Sequence, residues 1–148
     1  MKYNLCCISK TLATEGHKFQ TMTWHRFSQL DREEAVATVS ERTLNNIRVT
    51  YKILQRCAAK GWGYRVSSNL FPLLTYEVAN LKLEDYPDYI DIEAALADCA
   101  SIIKYNDIRV SCHPDQFNVL ASMGKPQVDK TIKELNHHGW LMDMLGAP

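Results

Sequence analysis

The feature that most constrains this chain is an alternation. Short runs at residues 3–8, 63–68 and 108–112 read as strands, and long stretches of helical periodicity separate and follow them. Over residues 31–59, Leu44, Ile47, Tyr51, Leu54 and Ala58 recur at helical spacing, with Arg42, Asn45, Arg48, Lys52 and Gln55 between them. Ser28 or Asp31 can cap this helix, Glu33 and Glu34 suit its first turn, and Gly61 closes it. A second helix, residues 91–105, places Ile92, Leu96, Cys99 and Ile103 on one face and stops at Asn106-Asp107. A third covers residues 127–145, with Gly146 behind it. Residues 9–28 read as a polar loop, and residues 69–87 as a loop holding a short helical piece. The order is β-α-β-α-β-α, with helices long enough to cross back over a sheet. This predicts an α/β fold of parallel strands joined by right-handed crossovers.

Composition narrows the class. A chain of 148 residues without fixed-period repeats or Gly/Ser linkers reads as one domain, residues 1–148. Seventeen basic residues balance seventeen acidic ones, so bulk basicity gives no reason to bind nucleic acid, and such binding needs a local patch. The basic residues Arg26, Arg32, Arg42, Arg48, Lys52, Arg56 and Lys60 are interleaved with Asp31, Glu33, Glu34 and Glu41, the pattern of a solvated face. Cysteines at 6, 7, 57, 99 and 112 include no CxxC pair, which predicts small buried thiols in a reducing compartment rather than disulfides or a zinc knot. The amino-terminal apolar run is too short for a signal peptide, and no stretch is long enough for a membrane span. The expected location is the cytoplasm, with no membrane partner. No Walker loop, GxGxxG or GxSxG motif supports nucleotide-dependent or serine-hydrolase chemistry.

In parallel α/β folds, functional residues collect at the carboxyl ends of the strands. Ser9-Lys10-Thr11 follow the first strand, Ser67-Ser68-Asn69 the second, and His113-Pro114-Asp115-Gln116-Phe117 the third. All three sets are polar and would line one rim. His113, held by the proline after it, suits a metal ligand or a general base, or equally a rim histidine bonded to a neighbouring loop. Gln116 and Phe117 place an amide beside a ring, a pair able to bind and stack on a nucleobase, although such an aromatic can also be core. His137 and His138 are adjacent on a helix, so one faces inward and the other outward. His17 and His25 have no partner spacing. Arg65 can bind a phosphate or pair with a carboxylate at the rim.

Four segments taken together resemble the UV damage endonucleases of the UvdE family: MKYNLCCISKTL, GYRVSSNLFPLLTY, RVSCHPDQFNVLAS and IKELNHHGWLMDMLG. Their order and approximate spacing agree with the family, and they cover most of the chain. The resemblance implies a TIM barrel with a cluster of divalent metals, usually manganese, at its carboxyl face. It implies an enzyme that nicks double-stranded DNA immediately 5′ to ultraviolet photoproducts. Carried over by position, His113 and His138 become metal ligands, and Gln116 and Phe117 become the pair that probes the lesion. Ser9, Arg65, Ser67 and Ser68 fall on the DNA-facing rim. Tyr76 stands where the family commonly has a metal-binding histidine, Leu5 where a DNA-contacting tyrosine is expected, and Ser9 where asparagine is usual.

A TIM barrel takes about 250 residues, so the expectation is a partial (β/α)8 barrel, about its first half. Such a chain would be weak or inactive alone and would be completed by a carboxyl-terminal fragment. Three or four parallel strands are expected, with apolar residues exposed where a full barrel would bury them. Two other functions fit the same residues: a non-catalytic DNA- or protein-binding half-barrel, and a related metal TIM barrel acting on sugars or abasic DNA.

Overall fold

The computed structural model describes residues 3–114 and 120–147. Three parallel strands form one sheet in the order β1 (Asn4–Cys6), β2 (Gly63–Val66), β3 (Val110–Cys112). Two crossovers connect them. The first carries the short helices α1 (Lys10–Thr14) and α2 (Trp24–Ser28) and then the long α3 (Arg32–Lys60). The second carries 3-10 turns at Glu77–Ala79 and Leu83–Asp85 and then α4 (Tyr89–Tyr105). Helix α5 (Lys125–Met144) follows β3. The parallel α/β arrangement is the one the alternation predicts.

The long helices end where local chemistry ends them. Gly61 takes the left-handed conformation (φ 67°), and the Trp62 N–H donates to the Cys57 carbonyl at 2.9 Å, a Schellman-type stop. Asp31 sits at the amino cap of α3, but its side chain makes no capping bond. Glu33 and Glu34 supply the negative charge that suits this helix end. The strands are shorter than their apolar runs, and the segment expected to be loop between β1 and α3 holds two capped helices. Ser9 Oγ accepts from Leu12 N, and Thr23 Oγ1 accepts from Arg26 N. Five-residue helices carry too little periodicity to stand out from a polar stretch.

The core lies between the sheet and α3 and α4. Ile47, Ile53, Leu54, Tyr64, Val66, Ile92 and Leu96 are all buried to within 1%. Leu5, Tyr64 and Val110 share a row on the helix-covered face, whereas Cys6, Arg65 and Ser111 share the opposite one. The uncovered face is therefore polar. Large exposed apolar side chains among the described residues include Ile8, Val78, Ile90, Leu120 and Met123. Along these paired rows, Cys6, Arg65 and Ser111 are not the large apolar side chains expected on that face.

The thiols divide as well. Cys57 and Cys99 are buried, and burial raises them to about 11 and about 12, but Cys6 is exposed and Cys7 and Cys112 half-buried. Nor is the basic side of α3 simply solvated: Arg42 donates to the Thr21 carbonyl at 2.6 Å and Asn45 to that of Lys18 at 2.8 Å. No helix among the described residues is long and apolar enough to cross a membrane.

Candidate nucleic-acid interface and metal ligands

All three strands run in one direction, so the segments after them emerge on one rim. Ser9 is buried there, its hydroxyl oxygen engaged by the first turn of α1. Ser67 and Ser68 are half-buried, and Ser67 Oγ accepts from Asn69 N at 3.3 Å. His113 leaves β3 exposed. Gln116 and Phe117 lie outside the described residues.

Arg65 projects from β2 on the uncovered face, between Cys6 and Ser111 in neighbouring strands. Interaction with the Cys7 side chain first, and then with Cys6, raises its pKa from a value already high enough to keep it charged. Arg65 Nε is buried without a partner. Beside it, the Tyr64 hydroxyl donates to the Cys7 carbonyl at 2.7 Å, and burial raises the phenol far above its ordinary range. Tyr64 thus fixes the backbone at the point where β1 turns into the rim. Cys7 there adopts a positive φ of 54°.

Helix α5 presents the adjacent histidines to two environments, neither of them open water. His138 is 4% exposed, and its Nδ1 has no hydrogen-bond partner. His137 lies against aromatic rings, stacked on Trp140 at 5.7 Å and edge-on to Phe71 at 5.1 Å. Desolvation, helped by His138 and opposed by Glu134, lowers His137 to about 4, so it is neutral at physiological pH. Glu134 accepts a hydrogen bond from the Thr75 hydroxyl, tying α5 to the loop after β2. No ring contact or hydrogen bond joins His113 to His138 among the described residues, whereas the His137 ring lies 5.9 Å from that of His138.

For a divalent cation the donor chemistry is right and the number is short. Imidazole nitrogen is a ligand for first-row divalent metals, manganese drawing more on carboxylate and water oxygens, and a buried nitrogen without a partner is suited to a metal. Yet among the described residues no three His, Cys, Asp or Glu side chains lie close enough to hold an ion. Tyr76 supplies no imidazole; it is 40% exposed and packs against Trp24. Sequence reasoning missed this aromatic contact and the Thr75–Glu134 tie. The Thr23 cap followed by Trp24 and Phe27 was the available signal for the first.

A sequence-family model described as UV-endonuclease UvdE matches residues 1–148. A UV DNA damage endonuclease of Nostoc sp. is 31% identical over 134 residues, which cover 88% of this chain and 40% of that protein. One from Bacillus cereus is 30% identical over 130 residues, covering 86% and 39%. A crystal structure of SacUVDE superposes with a TM-score of 0.78 at 29% identity, over 99% of this chain and 46% of that one. The chain therefore spans about two fifths of the length of these curated relatives.

Proposed function

The chain belongs to the UvdE family of UV endonucleases, and from that membership we propose that it forms the opening part of a metal-dependent DNA repair nuclease. In this reading residues 1–148 are one domain, the first half of a (β/α)8 barrel, working in the cytoplasm. The complete assembly nicks duplex DNA 5′ to ultraviolet photoproducts to start excision repair. The observation that carries the reading is the superposition on SacUVDE over nearly the whole chain, with a parallel sheet whose rim gathers polar residues.

His113 and His138 hold part of a divalent metal centre, manganese by family resemblance; its unpartnered Nδ1 supports His138 as a donor. Such a metal, when bound, activates water and stabilises the charge developing on the phosphate. The chain's own residues do the rest. Arg65, a permanent cation, faces the DNA backbone together with Ser9, Ser67 and Ser68. Gln116 and Phe117 enter the duplex at the lesion, where poor stacking makes opening less costly than at intact steps.

Two histidines rarely hold a catalytic metal alone, so the remaining ligands come from a carboxyl-terminal barrel segment. The test uses an end-labelled irradiated duplex with manganese. The chain alone should nick it at most weakly, and adding the carboxyl-terminal barrel segment of the Nostoc relative should produce nicks 5′ to the photoproducts. Robust nicking by the chain alone, or none with the added segment, overturns the reading.

The shortage of metal donors among the described residues also favours a second reading, a non-catalytic DNA-binding half-barrel. That reading predicts lesion-preferring binding that survives chelation and His113→Ala.

A further inference from the structure

The loop after β2 is braced from outside the sheet. The Tyr76 ring lies 5.5 Å from Trp24, tilted by 55°. Trp24 in turn stacks on Phe27 at 5.5 Å, and the Arg32 guanidinium lies 5.7 Å over the Phe27 ring. Arg32 then returns to the same loop, donating to the carbonyls of Ala79 at 2.5 Å and Asn80 at 2.7 Å. Contacts that begin at Tyr76 therefore end three and four residues later, with α2 and the start of α3 as the frame. A ring fixed in this way has little rotamer freedom left to lose on binding.

Despite the brace, Tyr76 keeps 40% of its surface exposed, and neighbouring Val78 keeps 63%. Both line a groove of about 450 Å³ whose far wall is the first turns of α5, with Pro126, Lys130 and Lys133. Glu77 and Asp129 also line it, so the two lysines are matched by two carboxylates. The groove offers a ring face without a net positive field. That combination suits the flat face of a base better than a run of phosphates.

We propose that Tyr76 is a stacking platform for an unstacked nucleobase of distorted or single-stranded DNA, received in the groove between the loop after β2 and the start of α5. The proposal rests on the DNA-binding reading above and adds a contact to it. It also gives the tyrosine a task that a metal-binding imidazole at this position would not perform.

The test measures binding of the chain to a labelled oligothymidine of about ten nucleotides, long enough to cross such a groove, and to an abasic oligomer of the same length. Oligothymidine should bind more tightly than the abasic oligomer, with a shallow salt dependence. Tyr76→Phe should bind as the parent does. Tyr76→Leu, which keeps an apolar contact with Trp24, should lose about tenfold in affinity, the scale of one stacked base, without a change in circular dichroism. Equal affinity of Tyr76→Leu and parent, or equal binding of the abasic oligomer, overturns the platform while leaving the DNA reading standing. Absence of binding to both oligomers and to irradiated duplex overturns both.

Discussion

Asn46 is fully buried, and its polar atoms bond mainly to backbone. Its Oδ1 accepts from Gln20 N at 2.7 Å, and its Nδ2 donates to the carbonyls of Gln20 at 2.8 Å and Leu70 at 3.0 Å. One amide thus joins the loop before α2 to the loop after β2. Asn46→Leu should cost about 2 kcal/mol, because three backbone groups lose their side-chain partner, the Leu70 carbonyl in a buried position; a fall in the urea midpoint at unchanged slope is the check. Periodicity alone could not single Asn46 out, since it falls among the polar residues between Leu44 and Ile47 that read as a solvated side. His137 was likewise visible only as one of a pair. Its lowered pKa, about 4 against an ordinary 6.5, means the unfolded chain binds the extra proton between those values. The stability it contributes is present above pH 6.5 and is lost as pH falls toward 4. In chelator-containing buffer, the parent should lose more stability between pH 7 and pH 4.5 than His137→Phe does; equal losses would contradict the assignment.

At the scale of elements, the chain is most legible where a local stop signal exists. The long α3 ends within a residue of its expected position because Gly61 can take a conformation that other residues resist. Helix α4 begins two residues earlier than the periodicity suggests, at Tyr89. Strand ends were overdrawn at 3–8 and 63–68 because an apolar run says what is buried, not what is hydrogen-bonded in the ladder. Gly63 shows the other side of the strand problem. A Cβ there would lie 2.9 Å from the Arg109 carbonyl oxygen and closer still to the Asn4 side chain, so β2 can begin between its neighbours only as glycine. Gly63→Ala should destabilise the chain by about 2 kcal/mol through forced strand displacement, seen as a lower thermal midpoint. An unchanged midpoint would show that the strands yield freely.

For the whole molecule, the alternation of strands and helices was sufficient for the α/β class and the parallel order, because crossover connections leave few other topologies. The character of the uncovered sheet face was not. Only the register that aligns Cys6, Arg65 and Ser111 shows it to be polar, and register is a pairing between distant residues. The candidate site was legible as sets of strand-end residues, but not as a constellation. A helix seated by its own core contacts, such as Leu141 and Leu145, decides which of two adjacent histidines turns inward. That choice bears directly on the metal centre on which the proposed nuclease depends. The most direct measurement is pulsed electron paramagnetic resonance of manganese bound to the chain, labelled with ¹⁵N in its histidines and completed by the unlabelled carboxyl-terminal barrel segment. The account predicts imidazole-nitrogen couplings that weaken in His113→Ala and again in His138→Ala. A manganese signal without histidine coupling, or one untouched by both substitutions, would contradict it.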